Sequence, residues 1–353
     1  MVALFPFWLF IAYKFEWTPD GFQKTPDSAA PESSEGAAHK KSYKFIIAGL
    51  VVALLLMISD RIFNLTGSDI TPDPPELKSV TTSRSYNYSN SWSPDGSMMT
   101  YSEFRSSFDL MIMTPEVSSS ERRLTDHPAD ELIPRWSPDG TKIAFVSDKG
   151  AGVKVYWISP SGGPERAIAS TNMHSLEHFY EFFTSLGSTP WLPNGEKLIY
   201  SKLEENTISL WELNINSGEE QRVTNPRPGQ RDLGASVSKD GSKIVFQRDA
   251  NIWLKEDNGP EFELISDPYV NFQPIWSQNG EKVIFSSDRS GSRNLWEYSL
   301  NDQSFTQITF YGPAYAVWDP SLSSEGRLTF TEFTHETDLI YINLVENQER
   351  RLT

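Results

Sequence analysis

The 353-residue chain contains no cysteine, which excludes disulfide bonds and metal sites built on thiolates. Positive charge is also scarce, because 31 lysine and arginine residues face 47 aspartate and glutamate residues and leave a net charge of −16. A surface this acidic repels phosphate backbones, so we expect no nucleic-acid binding by this chain as it stands. Hydrophobic residues make up 38% of the chain and aromatic residues 13%, which is enough for a packed core.

Sequence signatures of common catalytic and cofactor sites are missing as well. The chain has no Gly-x-Ser-x-Gly nucleophile motif, no phosphate-binding P-loop and no dinucleotide-binding glycine string. Its histidines are His39, His127, His174, His178 and His335, and no carboxylate pattern beside them indicates a metal centre. We therefore predict no cofactor, no bound metal and no catalytic residues, and we do not expect an enzyme. A glycosidase-like carboxylate pair stays open, since pairing needs coordinates.

Long apolar runs are rare, and the most prominent is "FIIAGLVVALLLMI" at residues 45–58. As a helix this run is about 21 Å long, and extension to residues 43–63 brings it to about 31 Å, close to the thickness of a bilayer core. A buried soluble helix would lack packing partners here, and a cleaved signal peptide would need a small-x-small site after the run. The sequence therefore predicts an uncleaved transmembrane helix over residues 43–63.

Charged residues flank this apolar segment asymmetrically. Lys40, Lys41 and Lys44 precede it, whereas Arg61 follows among acidic residues. The positive-inside rule therefore places the N-terminus in the cytoplasm and everything after the segment outside it. The predicted localisation is the cytoplasmic (inner) membrane, with a single pass and a periplasmic or otherwise extracytoplasmic domain.

The remaining boundaries follow from composition. Residues 1–42 are predicted to hold a short N-terminal segment and a disordered linker rich in proline, serine and charge. Residues 64–76 form a second, proline-rich linker. From residue 77 to residue 353 the chain repeats one pattern, which defines the extracytoplasmic domain.

Each repeat contains a large residue, a four-residue turn such as "SPDG", and a run of β-branched and aromatic residues. Serine, proline, aspartate and glycine suit the four positions of a type I turn. Asparagine and glutamate also occur at the aspartate position, so we interpret this residue as part of the turn and not as an acid or metal ligand. The turn glycines are spaced by 44, 55, 46, 39 and 46 residues, which is typical of four-stranded propeller blades. These glycines are Gly96, Gly140, Gly195, Gly241, Gly280 and Gly326.

Two segments, "RWSPDGTKIAFVSDKG" and "IWSQNGEKVIFSSDRSGSRNLWEYSL", resemble the WD40-like (PD40) repeats of TolB-like β-propellers. The resemblance covers about residues 77–353. It implies an all-β fold, a six-bladed β-propeller preceded here by the single transmembrane helix. Val237 and Leu322 stand where the other repeats have tryptophan, so we expect those two blades to pack differently.

The order of linker, single anchor and propeller also resembles membrane-bound transcriptional regulators of the ToxR/CadC-like kind. Those proteins carry a cytoplasmic winged-helix domain before the linker, and residues 1–42 are too few to hold one. The two resemblances imply a membrane-anchored extracytoplasmic module that senses or binds a protein or small-molecule ligand. We expect the ligand on the top face, which carries the loops before the first strands and between the second and third strands. The alternative is a periplasmic propeller enzyme, lyase or glycosidase-like, with a site on that face.

The connection after residue 169 is longer than its equivalents and contains "SLEHFYEFFTSLG" at residues 175–187. Its apolar residues recur at helical spacing, which predicts a short helix over residues 176–186 on the top face. One interpretation is a plug that covers a propeller edge. The other is a recognition element in which His178 and Phe182 contact a partner together with Arg231 from the next loop.

Two segments compete for the outermost strand of the last blade. They are "ERRLT" at residues 349–353 and "LKSVT" at residues 77–81. The first follows its own blade directly, so its loop-closure cost is lower. We therefore expect residues 349–353 to close the ring, with residues 77–81 beside them or irregular.

Overall fold

A computed structural model of the chain describes residues 15–18, 21–24, 77–81, 85–115, 117–176, 190–257, 259–333 and 337–343. The chain divides into two compact units, residues 1–71 and residues 72–353. In the first unit, strands β1 (Phe15–Thr18) and β2 (Gly21–Lys24) form an antiparallel hairpin, with Phe15 opposite Lys24 and Thr18 opposite Gly21. No described segment forms a helix with the length and hydropathy needed to cross a bilayer, and the predicted span over residues 43–63 lies outside the described residues.

The second unit is built from antiparallel sheets whose strands follow one another along the chain. The first blade contains β4 (Tyr86–Trp92), β5 (Met99–Phe104), β6 (Phe108–Thr114) and β7 (Val117–Arg123). The second contains β8 (Glu131–Trp136), β9 (Ile143–Ser147), β10 (Lys154–Ile158) and β11 (Arg166–Ser170). A three-stranded unit follows, with β12 (Lys197–Glu204), β13 (Thr207–Asn214) and β14 (Glu220–Arg222).

Three further four-stranded blades complete the described part of the ring. The third blade contains β15 (Asp232–Val237), β16 (Lys243–Arg248), β17 (Asn251–Glu256) and β18 (Glu261–Ile265). The fourth contains β19 (Asn271–Trp276), β20 (Lys282–Ser287), β21 (Asn294–Ser299) and β22 (Phe305–Gln307). The fifth contains β23 (Ala316–Leu322), β24 (Arg327–Phe333), β25 (Thr337–Asn343) and, from the start of the domain, β3 (Lys78–Ser79).

The described residues thus confirm an all-β propeller, and they form five four-stranded blades where the sequence predicted six. The exception is the three-stranded unit, where a first strand is reduced to one isolated bridge between Trp191 and Leu198. Pro190 and Pro193 flank Trp191. Because proline has no backbone N–H to donate to a neighbouring strand, this stretch is a poor first strand.

The expected ring closure is wrong. The strand next to β25 is β3, with Ser79 opposite Ile340 and Lys78 opposite Tyr341, and residues 349–353 lie outside the described residues. Val80, which follows β3, is buried in one apolar cluster with Trp92 and the methionines of the first blade. Burial of this side chain offsets the larger closure entropy of a strand that joins the two ends of the domain.

The repeated turns are confirmed. The N–H of Gly140 donates to the carbonyl of Ser137 at 2.9 Å, and Gly140 has a φ of +69°, a conformation that favours glycine. The Ser137 hydroxyl and the Thr141 N–H both donate to the Asp139 carboxylate, which lowers the pKa of this carboxyl to about 2. Aspartate at this position therefore stabilises the turn.

The tryptophans before the turns pack between neighbouring sheets, as predicted. Trp92, Trp191 and Trp276 are each less than a tenth exposed. The indole N–H of Trp276 donates to the carbonyl of Ser236 in the third blade, and that of Trp191 donates to the carbonyl of Arg135 in the second. Val237 and Leu322, which replace tryptophan in two repeats, are only partly buried. This difference agrees with the expectation that their blades pack differently.

Three blades share a buried cation that packs on an aromatic ring and binds a carboxylate near the start of the blade. We call this arrangement the cation clamp. The distances from the cation to the ring centre are 4.5, 4.4 and 3.9 Å, and the N–O distances to the carboxylate near the start of the blade are 2.7, 2.6 and 2.9 Å. The cations are Lys149, Arg248 and Arg289; the rings are Tyr156, Trp253 and Phe305; the carboxylates are Glu131, Asp232 and Asp267.

Candidate functional site

The first strand of every four-stranded blade is irregular at the equivalent position of its sequence. Each carries a β-bulge, where the register with the second strand shifts. At each bulge one residue has a positive φ, between 47° and 61°, although only one of the five is glycine. These residues are Ser89, Ile133, Gly234, Gln273 and Asp319. A left-handed conformation costs free energy for residues other than glycine, so it persists only where surrounding contacts enforce it.

Hydrogen bonds between blades hold three of these bends, at Ser89, Gln273 and Asp319. The Gln273 side chain donates from Nε2 to the Asp319 carboxylate and accepts the Asp319 N–H on Oε1 at 2.8 Å. The Ser89 hydroxyl donates to the other carboxylate oxygen of Asp319 at 3.4 Å. The Asn90 side chain donates to the Asp319 carbonyl at 3.0 Å. Side chains of the fourth and first blades therefore converge on one residue of the fifth.

A guanidinium group extends this polar cluster into the second blade. Arg135 Nη1 donates to the carbonyls of Asn90, at 3.1 Å, and Pro134, at 2.8 Å. Burial lowers the pKa of Arg135, and the negative charge of Asp319 opposes this shift. We call Ser89, Asn90, Arg135, Gln273 and Asp319 the axial cluster. Its carboxyl, guanidinium, amide and hydroxyl groups offer both donors and acceptors to a ligand.

The carboxyl of Asp319 is 7% exposed and titrates abnormally. Burial raises its pKa to about 6, while the charge of Arg135 and the hydrogen bonds from Ser89 lower it. Burial likewise raises the pKa of Tyr88 to about 12, and the negative charge of Asp319 adds to this shift. A carboxyl that titrates near pH 6 can exchange a proton under mildly acidic conditions, which is a property of functional sites.

Above the axial cluster, toward the top face, a second cation packs against two adjacent rings. The guanidinium carbon of Arg293 is 3.8 Å from the ring centre of Trp318 and 4.5 Å from that of Phe272. These rings precede Asp319 and Gln273 in the fifth and fourth blades. Arg293 is held there by a parallel bridge to Ala316. We call Arg293, Phe272 and Trp318 the cation sandwich.

The structure describes one of the three predicted site residues, Arg231. His178 and Phe182 lie outside the described residues, as does the rest of the predicted helix after Leu176. Leu176 itself is fully buried in the apolar cluster between the second blade and the three-stranded unit. Arg231 is partly buried and forms a parallel bridge to Ile208. The role of these three residues in recognition stays a prediction.

The axial cluster was missed from the sequence. The motif that could have indicated it is a proline or small residue near the middle of each first strand, as in "IPRW", "QPIW" and "DPSL". Proline cannot donate to the second strand, so its recurrence marks a bulge. Among the described residues, no group of three or more histidine or acidic side chains is placed to hold a metal ion.

This ring of four-stranded antiparallel sheets with bulged inner strands defines a β-propeller. The profile of the PD40 family, the TolB beta propeller domain, matches residues 73–251, just over half of the 353-residue chain. The chain therefore belongs to the TolB β-propeller domain family.

Relatives with curated sequences share part of this domain. An uncharacterized protein of Agrobacterium fabrum is 28% identical over 43% of this chain and 49% of its own length. The uncharacterized peptidase YuxL of Bacillus subtilis is 26% identical over 48% of this chain and 22% of its own length. The Tol-Pal system protein TolB of Francisella tularensis is 23% identical over 53% of this chain and 42% of its own length. The chain thus spans less than half the length of each of these relatives.

Solved structures with the same fold include both TolB and enzymes. TolB from Acinetobacter baumannii superimposes with a TM-score of 0.51 and 17% identity, covering 81% of this chain and 68% of TolB. Oligogalacturonate lyase from Vibrio parahaemolyticus gives a TM-score of 0.54 and 11% identity over 80% and 96%. An oligogalacturonate lyase in complex with manganese gives a TM-score of 0.53 and 12% identity, covering 77% of this chain and 94% of the lyase. At such identities the likeness shows the fold alone.

These comparisons contradict the prediction that the chain is not an enzyme. Two of the similar folds are lyases, and one relative is named a peptidase, so propeller enzymes stand beside TolB among its neighbours. The missing motifs were a poor guide because propellers can build sites from residues of several blades, with no local signature. The resemblance to transcriptional regulators concerns the part before the propeller and stays a prediction.

Proposed function

We propose that the propeller is the ligand-binding domain of a membrane-anchored extracytoplasmic sensor. Its ligand binds at the ring axis, from the top face down toward the axial cluster. The observation that carries the proposal is the convergence of a buried carboxyl, a guanidinium and two carboxamides from four blades. The role as the periplasmic half of a membrane-bound regulator is the narrower form of the same proposal.

The axial cluster costs folding free energy, which is why it points to binding. Removing a carboxylate and a guanidinium from water is unfavourable unless each is fully paired. Asp319 and Arg135 have no direct ion pair within 4.0 Å among the described residues. A purely structural ring axis would be more stable with apolar side chains at these positions. The polar groups are explained if they stabilise a bound ligand.

Binding at this site is tested with Gln273→Ala, which removes the carboxamide that holds Asp319. Thermal-shift and calorimetric screening of small molecules and peptides should identify ligands of the wild-type propeller. The variant should bind them at least about tenfold more weakly, the effect of one or two lost hydrogen bonds. Gln221→Ala, on the exposed outer strand β14, is the matched control and should bind normally. Equal affinity of both variants would refute an axial site. Product analysis by NMR in the same samples distinguishes turnover from binding alone.

The proposed location rests on the apolar segment at residues 43–63 and its lysine flank. Alkaline phosphatase fused after Thr353 should be active in a Gram-negative host, because this enzyme requires export. Replacing Lys40, Lys41 and Lys44 by glutamate should reduce that activity, since the charge asymmetry is then lost. β-Galactosidase fused at the same point is the reciprocal reporter. Activity of β-galactosidase with inactive phosphatase would place the propeller in the cytoplasm and contradict the proposal.

A further inference from the structure

The cation sandwich differs from the three cation clamps of the same ring. In each clamp a carboxylate lies within hydrogen-bond distance of the cation. No carboxylate of the described residues lies within 4.0 Å of the Arg293 guanidinium. Its buried Nε also has no hydrogen-bond partner in the described part of the chain. A buried donor left without an acceptor is costly, and a charged one more so, which makes this group a candidate for a ligand.

The geometry of the sandwich keeps the binding edge of the guanidinium open. The guanidinium carbon lies 3.8 Å from the ring centre of Trp318 and 4.5 Å from that of Phe272, and the two ring centres are 6.0 Å apart, so the rings meet at a corner beside the group and do not enclose it. The N–H groups point outward in the plane, where they can bind an acceptor with two parallel hydrogen bonds. Arg293 remains partly exposed, so this edge is within reach of solvent. Because the rings fix the side chain in advance, little further entropy is lost on binding.

The charge of Arg293 is retained at neutral pH. Burial lowers its pKa to about 10, and the negative charge of Asp288 partly offsets this shift. Asp288 is a negative charge close enough to act on Arg293. A doubly charged phosphate would be repelled more strongly than a singly charged carboxylate. The surroundings therefore favour a monoanion.

Exposed aromatic residues adjoin the sandwich. Tyr315 is 40% exposed and precedes Ala316, the residue that pairs with Arg293. Phe310, on the same loop, is 66% exposed, and the Tyr311 ring lies 5.4 Å from that of Tyr315. These rings offer an apolar surface for the body of a ligand whose anionic end is bound nearby.

We infer that Arg293 binds the carboxylate of an organic ligand that has an aromatic or apolar body. The carboxylate accepts two hydrogen bonds from the guanidinium edge, and the body packs on the loop that carries Phe310 and Tyr315. The inference rests on the proposed ligand-binding function and specifies the class of ligand. Its chemistry can be supplied by a free carboxylic acid or by the C-terminus of a peptide.

The test uses matched acids and amides with the full chain in detergent. The probes are 3-phenylpropionate, its neutral amide, and a short peptide ending in phenylalanine with either a free or an amidated C-terminus. Calorimetry should show binding of the free acids and at least about tenfold weaker binding of the amides. Tighter binding of the small acid or of the peptide shows whether the natural carboxylate belongs to a free carboxylic acid or to a peptide C-terminus. Inorganic phosphate should bind no better than the amides.

Two variants assign the binding to Arg293. Arg293→Met keeps the apolar stem in the sandwich and should weaken binding about 10- to 100-fold. Arg293→Lys keeps the positive charge but loses the pair of parallel N–H donors, so it should also weaken binding. This variant serves as the test if Arg293→Met does not fold. Arg166→Met is the control, because Arg166 stacks on Trp157 of an outer face and should not affect binding.

The outcomes separate this inference from the proposed function. Full affinity in both Arg293 variants, or equal affinity for acids and amides, overturns the carboxylate assignment. If a ligand found by screening still binds more weakly to Gln273→Ala, the proposed binding function stands even though the carboxylate assignment fails. Loss of binding in Arg166→Met as well would mean nonspecific attraction to cationic surfaces and would also overturn the inference.

Discussion

Arg248→Met is expected to lower the free energy of unfolding by about 3–5 kcal/mol at neutral pH, because it leaves buried carboxylates without their counter-charge. The Arg248 side chain is 5% exposed, and the Asp232 side chain is fully buried. The two form a bidentate ion pair with N–O distances of 2.6 and 2.7 Å, and Arg248 also binds Glu261 at 2.6 Å. Arg248 stacks on Trp253, so methionine retains part of this packing.

The titration of Asp232 gives this loss a pH dependence. Burial raises the pKa of Asp232 even with Arg248 present, although Arg248 opposes the shift. Without the guanidinium the carboxyl can protonate more readily, so the loss should shrink as the pH falls. Chemical denaturation at several pH values measures this.

Two controls isolate the buried ion pair. Lys243→Met removes a cation from the same blade whose partner Glu256 is largely exposed, and it should cost less than about 1 kcal/mol. The double variant Asp232→Asn, Arg248→Met should recover part of the stability, since the fully buried carboxylate is then neutral and only Glu261, whose side chain is 11% exposed, loses its counter-charge. A loss under about 1 kcal/mol in Arg248→Met alone would contradict the cation clamp as a structural element.

The parts of this fold that were predictable are those encoded by neighbouring residues. The turns around Gly96 and Gly140 need a left-handed residue within a four-residue segment, and the glycine at that position predicts the turn from the sequence alone. The tryptophans before the turns indicate the spaces between blades by their size. The repeat spacing then specifies a propeller, because one supersecondary unit recurs.

The parts that were not predictable depend on contacts between distant blades. Gln273 and Asp319 adopt a positive φ only because each holds the other across two blades, 46 positions apart in the chain. Local preference would place neither residue in that conformation. The cation sandwich is likewise invisible in the sequence, where Arg293, Phe272 and Trp318 are separated by more than twenty positions. Sites of this kind arise only when the ring closes.

Ring closure shows how a local rule can fail against a distant contact. Loop entropy favoured the segment at residues 349–353, yet β3 takes the place beside β25. The entropy of a longer loop grows only with the logarithm of its length, so one buried side chain such as Val80 can outweigh it. The three-stranded unit is a second case in which the repeat pattern alone misleads. The prolines beside Trp191 remove backbone donors, so the first strand that the repeat predicts does not form.

Asp319→Asn is expected to remove a pH-dependent loss of stability. Burial raises the pKa of Asp319 from 3.8 to about 6, so the folded protein binds this proton more tightly than the unfolded chain does. A group of this kind stabilises the fold below pH 4, and its contribution is lost as the pH rises through 6. A shift of about two pKa units corresponds to about 3 kcal/mol. Asparagine can still accept the hydrogen bond from Gln273, but it cannot ionise.

The measurement is the difference in unfolding free energy between Asp319→Asn and the wild type, from denaturant titrations at pH 4, 5, 6 and 7. This difference should shift in favour of the variant by about 2.4 kcal/mol from pH 4 to pH 7, because the unfolded carboxyl is already partly ionised at pH 4. Tyr88 stays neutral across this range, since burial raises its pKa to about 12. Any constant cost of the substitution cancels between pH values. A difference that does not change with pH would show that Asp319 titrates normally and that the axial cluster is open to water.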